Sequence, residues 1–253
     1  MRSGAENSLL ITRPLHQAKK DTQFFASKGV NVLLAPMLEI KPLEHEPDKI
    51  EKADAFIFTS ANALRFFPIS AVNFNGPVFC VGNQTANAAR EAGFSNIHSA
   101  QGNAHDLIAH IQEQEETEKS GQYCYIHGKY ITADIAAALN ERGIKCESVQ
   151  IYNSVLKEHL TGDVIAALNN NEIQAVSFMS QRSAQNFVRL VRAESVEKSL
   201  QTIKALCLSP SVLECVRVLK WKSTHVCARP DGDEFRHFCL QILKDHNEEN
   251  HDR

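Results

Sequence analysis

The chain has 253 residues, 43% of them hydrophobic and 23% charged, with a formal net charge of −3 at pH 7. That length suits two domains of ordinary size or one large one, with enough apolar material for real cores. The slightly acidic balance excludes nucleic acid as the main partner, because phosphate backbones call for a basic surface. It still allows a small anion held by local arginines and backbone N–H groups.

Residues 9–12, LLIT, form a short apolar run followed by Arg13, and Pro14 then opens a helix. That helix places Leu15, Ala18, Thr22 and Phe25 on one face, and Gly29 is positioned to end it. VNVLLA (30–35) reads as the next strand, and AFIFT, VFCV, NIHS, YCYI, AVSFM, KALCL and THVC as the later ones. Helical patterns lie between them at 83–92, 105–116, 133–142, 163–169, 211–220 and 233–244. The alternation predicts an α/β fold with parallel sheets flanked by helices on both faces. The charged tail KDHNEENHDR (244–253) reads as solvated or disordered.

The chain repeats itself. DAFIFTSANALRFF (54–67) and QAVSFMSQRSAQNF (174–187) share Ala55/Ala175, Phe58/Phe178, Ser60/Ser180 and Phe67/Phe187. Residues 9–40 match 124–155 element for element, and 78–99 match 205–226. Two similar α/β halves follow. The extended segments PMLEIKP (36–42) and SVQIYNSV (148–155) each come after a completed β-α-β unit and could pair as a two-stranded connection. On that reading residues 1–36 with 157–253 form one domain and 43–147 the other. Segments 37–42 and 148–156 form the linker strands.

Parallel sheets gather ligands at the carboxyl ends of their strands. The residues there are Thr12 and Arg13; Thr59, Ser60 and Asn62; Gly82 and Thr85; His127, Gly128 and Lys129; Ser180; and Ser209 and Ser211. Hydroxyls, amides and glycines at helix starts, with a few cations, suit carboxylates or phosphates. The seven cysteines form no C-x-x-C pair and sit in apolar runs, so they read as reduced, buried thiols in a cytoplasmic protein. Eleven histidines lack metal-ligand spacing: His105 and His110 are five apart, and His246 and His251 lie in the tail. No metal is expected. Neither G-x-G-x-x-G, a P-loop nor a G-x-S-x-G elbow is present, and no apolar run approaches a membrane span or a signal peptide.

Taken in order, LLITRP, FIFTSANAL, VFCVGNQTANAAREAGF, YIHGKYITADIAAALNERGIKCESVQIYNS and VSFMSQRSAQNF resemble the uroporphyrinogen-III synthase family over about residues 9–243. The resemblance implies two α/β domains on a two-stranded ladder, with the active site in the cleft between them. It implies the linear tetrapyrrole hydroxymethylbilane as substrate, loss of its terminal hydroxyl as water, and inversion of ring D through a spiro intermediate. The macrocycle then closes as uroporphyrinogen III. No cofactor, nucleic acid or membrane is involved, and a monomer is expected, with transient contact to hydroxymethylbilane synthase. Family analogy gives Tyr152 the catalytic role: a tyrosine hydroxyl, with a reference pKa near 10, can donate to the leaving group. Arg13, Thr59, Ser60, Asn62, Gly82, Thr85, Gly128, Lys129, Ser180 and Ser211 carry over as substrate contacts. The chain departs from the family where VGNQTA is echoed by LSPSVL (208–213) and where His127 stands for a basic residue. Competing readings are a two-domain binding protein for an anionic metabolite and an inactive duplicate of the synthase.

Overall fold

The computed structural model describes residues 8–68, 74–100, 102–117 and 121–249, the last five as backbone only. It divides into two compact units, Met1–Glu39 with Val155–Arg253, and Ile40–Ser154.

In the first unit, β1 (Ser8–Ile11) leads through α1 (Leu15–Ala26) to β2 (Asn31–Leu34). The chain returns to this unit for α7 (Gly162–Asn169), β9 (Ala175–Phe178), α8 (Gln181–Ala193), β10 (Lys204–Cys207), α9 (Pro210–Val216), β11 (Ser223–Val226) and α10 (Gly232–Glu249). The sheet order is β11-β10-β9-β1-β2, parallel throughout. β3 (Leu38–Pro42) runs from this unit into the second, which holds α2 (Pro47–Glu51), β4 (Ala55–Phe58), α3 (Ala61–Phe66), β5 (Val78–Val81) and α4 (Gly82–Glu91). There follow β6 (Ile97–Ala100), α5 (Ala104–Thr117), β7 (Tyr123–Gly128), α6 (Ile135–Asn140) and β8 (Cys146–Leu156). Its sheet order is β3-β8-β7-β4-β5-β6. With β3 set aside, the two sheets have one topology: β7, β8, β4, β5 and β6 stand where β1, β2, β9, β10 and β11 stand. The internal repeat is therefore a repeat of fold.

The shared residues show why. Ala55, Phe58, Phe67, Ala175, Phe178 and Phe187 are all buried. Ser60 and Ser180 cap α3 and α8 from the same extended backbone, at φ −150° in both, and accept from Asn62 N and Ser183 N. Each sheet is packed on both faces. In the second unit Phe56, Phe58, Phe67 and Phe94 meet mostly edge-on or tilted under α3 and α4, with Phe56–Phe67 centroids 5.0 Å apart. Tyr123, Tyr125 and Phe79 fill the opposite face under α5 and α6. In the first unit Phe178, Phe187 and Trp221 play the same part. Such rings bury large areas and prefer these geometries.

Four details differ from the sequence-based expectations. Leu15 does not face the core: it is 60% exposed, and Asp21 is drawn inside instead. The reason is electrostatic, since Asp21 accepts from Arg13 and Arg236. The segments expected as linker strands pair antiparallel, through Leu43 N to Ile151 O and Lys157 N to Met37 O, but β8 also continues as a full member of the six-stranded sheet. The segment RAESVEKSLQ (192–201), which the drifting offset between the two repeats marks as a loop insertion, includes a 3-10 helix, Glu197–Thr202. The C-terminal tail is helical through Glu249, carrying His246; His251 lies outside the described residues.

Candidate functional site

A doubly wound sheet opens a crevice where neighbouring strands lead their connections in opposite directions. In the second unit that point lies between β4 and β7, and a pocket of about 430 Å³ sits there. Thr59 and Ser60, just past β4, form one wall; His127 and Gly128, ending β7, form another. Gly102 and Asn103 close it at the start of α5, and Tyr125, Tyr130 and Tyr152 bring three aromatic rings to it. The volume is within the usual range for small-molecule sites, roughly 300–1,000 Å³.

Sequence chemistry sets each piece. Asn103 accepts from His105 N through its side chain, and Asp106 accepts from Asn103 N, which fixes the start of α5 beside the pocket. Asp134 caps α6 by accepting from Ala137 N. Thr59 Oγ1 and Tyr125 Oη are 3.1 Å apart and share a hydrogen bond across the crevice. Burial, eased by that bond, raises the Tyr125 phenol above its ordinary value. His127 is buried and stacks on Tyr125 with centroids 4.5 Å apart. Its Nδ1 lies 2.7 Å from the Gly128 carbonyl and its Nε2 2.6 Å from Ser148 Oγ. A carbonyl can only accept, so the proton of the neutral ring is on Nδ1 and Ser148 donates to Nε2. Burial pushes the His127 imidazole below its usual 6.5, outweighing the Gly128 bond and the Asp134 charge. The basic residue expected at this position is thus an uncharged, fully hydrogen-bonded ring. Among the described residues, none that lines the pocket is Lys or Arg.

Tyr152 lies against the end of β7. Its ring stacks on Phe66 at 6.4 Å, and its carbonyl accepts from Lys129 N. Among the described residues its hydroxyl has no hydrogen-bond partner, so the group is chemically unspent at the pocket.

The expected contacts separate into sets. Thr59, Ser60, Gly128 and Tyr152 share this pocket. Asn62 lies in the first turn of α3, and Lys129 is exposed directly after β7. Gly82 opens α4 with φ +71°, the left-handed region that suits glycine, whereas its counterpart Ser209 is extended at φ −149° and needs none. Thr85 is buried on α4. Arg13, Ser180 and Ser211 belong to the first unit. There Arg13 is ion-paired with Asp21, Ser180 Oγ donates to Ser183 Oγ, and Ser211 Oγ lies 3.0 Å from Ser209 Oγ. Tyr125, Tyr130 and Asn103 went unnamed in the sequence reading. Their signal was available, since Tyr125 is three residues before the end of β7 and Asn103 opens a helix.

Elsewhere, burial raises the Cys80, Cys124, Cys146 and Cys207 thiols to about 12, which keeps them protonated. His98 and His225, like His127, are lowered by burial from 6.5. Below about pH 6.5 the unfolded chain takes up protons that these folded rings refuse, so stability is full above that value and declines as pH falls through the folded values. The urea midpoint should therefore drop between about pH 7.5 and 5.5, and less steeply in His127→Gln. An unchanged or rising midpoint contradicts this.

No helix among the described residues is long and apolar enough to cross a membrane. Comparison with known proteins gives one consistent answer. The family model described as uroporphyrinogen-III synthase HemD matches residues 20–235. A uroporphyrinogen-III synthase of Chlorobaculum parvum is 26% identical over 207 residues, covering 77% of this chain and 83% of that protein. The uroporphyrinogen-III synthetase structure from Helicobacter pylori superposes with a TM-score of 0.62 at 17% identity, covering 93% of this chain and 99% of that one. A mutant uroporphyrinogen III synthase of Thermus thermophilus gives 0.53 at 18%, covering 94% and 99%. At such identities the structures speak for the fold, and the match of the family model over most of the chain places this protein in the uroporphyrinogen-III synthase family.

Proposed function

We propose that the protein converts hydroxymethylbilane to uroporphyrinogen III, as a lyase that needs no metal or organic cofactor. The observation that carries the reading is the Tyr152 hydroxyl, which lines the pocket without a protein partner among the described residues. The chemistry asks little more of the chain. The terminal pyrrole is electron-rich and expels its hydroxyl once that oxygen accepts a hydrogen bond from a phenol. What remains is a carbocation conjugated with the ring, and the pocket suits it. Among the described residues no Lys or Arg lines the wall to repel the charge, His127 is held neutral, and the tyrosine rings offer π faces. Attack by ring D at its substituted carbon, reopening of the spiro intermediate and closure at the other carbon give the inverted macrocycle. One water is lost overall.

The substrate's acetate and propionate arms would meet the hydroxyls and N–H groups of Thr59, Ser60 and Asn62, with Lys129 at the rim. Gly82, Thr85, Arg13, Ser180 and Ser211 complete the proposed contact set. Because the linear bilane closes spontaneously to the symmetrical isomer, the reading includes brief contact with hydroxymethylbilane synthase, the protein itself acting as a cytoplasmic monomer. Holding the chain so that the unwanted closure loses is an orientation effect, and the helix starts around the pocket supply fixed partners for it.

An isomer analysis tests this directly. Porphobilinogen is fed to hydroxymethylbilane synthase with and without the protein, the products are oxidised, and the uroporphyrins are separated. A switch from isomer I to isomer III is expected. Persistent isomer I with folded protein overturns the reading and favours an anion-binding protein or an inactive duplicate.

A further inference from the structure

We infer that Gly128 is a positioning residue for Tyr152, and that a β-bulge opposite it turns the tyrosine into place. Calling that placement catalytic rests on the role proposed for Tyr152; the placement itself stands on geometry alone.

Alternation along a strand sends successive side chains to opposite faces. On β7, Cys124 and Ile126 face the phenylalanine-rich layer under α3 and α4, so Gly128 is on that side too. On β8, Val149 and Ile151 face the same layer, and strict alternation would turn Tyr152 away from it. It does not turn away, because the register slips. His127 pairs with Gln150 but Gly128 pairs with Tyr152, so Ile151 is the extra residue. The bulge re-aims one side chain, a use bulges often have beside active sites. Both Ile151 and Tyr152 join the same buried layer as a result.

The re-aimed ring then lies on the backbone of Gly128. A Cβ there would stand 2.5 Å from Tyr152 Cε2, 2.9 Å from its Oη and closer still to Cζ. Real side chains do not approach so closely, and the obstacle is the ring's polar end, which has little freedom between β7 and Phe66. The glycine is not required by its backbone: Gly128 is absent from the glycines with positive φ. Alanine would suit the chain there and clash only with Tyr152. Gly128 is therefore needed for the place of the hydroxyl rather than as a contact for a carboxylate, the role first expected of it.

The test uses Gly128→Ala, Tyr152→Phe and the double variant in the full chain, with hydroxymethylbilane generated enzymatically. Gly128→Ala should lower kcat by roughly tenfold to a hundredfold, the upper figure being what a misplacement near 1 Å can cost, with KM little changed. In the Tyr152→Phe background it should lower kcat no further. Independent loss in the double variant overturns the inference. A second readout does not depend on turnover. Protein labelled with fluorotyrosine carries four reporters, and Gly128→Ala should move the Tyr152 fluorine resonance while leaving that of Tyr123 in place. An unmoved Tyr152 signal overturns the positioning. A moved signal with full activity in Tyr152→Phe upholds it and removes the catalytic reading instead. Should Gly128→Ala fail to fold, adding Tyr152→Leu is expected to restore folding, and failure to do so also overturns the inference.

Discussion

Tyr152→Phe is expected to lower kcat about a hundredfold, at the lower end of what a positioned proton donor contributes, while KM and the thermal midpoint hardly move. The expectation of unchanged stability is specific. Among the described residues the Tyr152 hydroxyl has no hydrogen-bond partner, so removing it orphans nothing. The ring that stacks on Phe66 and covers Gly128 remains. Tyr125 provides the contrast. Tyr125→Phe breaks the bond with Thr59 Oγ1 and leaves that hydroxyl without its phenol, at a cost of about 1 kcal/mol. One tyrosine thus reads in rate and the other in stability. Steady-state kinetics with enzymatically supplied bilane, beside a melting curve for each variant, separate them. Full kcat in folded Tyr152→Phe would exclude the phenol as donor. A lowered midpoint would mean that the hydroxyl has a structural duty after all.

Much of the fold was legible because its signal is local. Short apolar runs, glycines after helices and capping serines at 60 and 180 each follow from a few adjacent residues. The repeat of AFIFTS in AVSFMS announced two copies of one topology, and the sheet orders agree with it. What escaped depends on pairing between distant residues. Nothing near Ile151 marks it as the extra residue of a bulge; that follows from where β7 ends against β8. Gly128 looked like a contact residue because glycines at strand ends often are, and only the ring of Tyr152 lying over it shows another reason. His127 looked like a missing cation, yet the Gly128 carbonyl and Ser148 occupy both its nitrogens. Leu15 had the right spacing for the core but lost its place to an aspartate committed to two arginines.

That aspartate has the largest expected effect on stability. Asp21→Ala should destabilise the protein by about 3 kcal/mol, toward the lower end of what breaking a buried ion pair costs. Asp21 is 3% exposed, and its two oxygens accept from Arg13 Nη1 and Arg236 Nη1, each at 2.9 Å. Arg13 follows β1 and Arg236 is on α10, 215 residues from Asp21, so one carboxylate fastens the end of a central strand and the last helix to α1. Removing it leaves both guanidinium groups largely out of water, and among the described residues the Arg13 Nε atom already lacks a partner. The lower end of the range applies because Arg236 keeps the exposed Asp233 as a second carboxylate, and neither arginine is fully enclosed. Arg236→Ala alone should cost less, since Asp21 retains Arg13. The double variant Asp21→Ala/Arg236→Ala should cost less than the two single losses added, because it also removes one of the stranded charges. Urea unfolding of the three variants measures this cycle. Additive losses, or a change of less than about 0.5 kcal/mol for Asp21→Ala, would class the network as an ordinary solvent-screened surface pair. Arg13 would then be free of structural duty, and the substrate contact proposed for it would be read directly from the KM of Arg13→Ala.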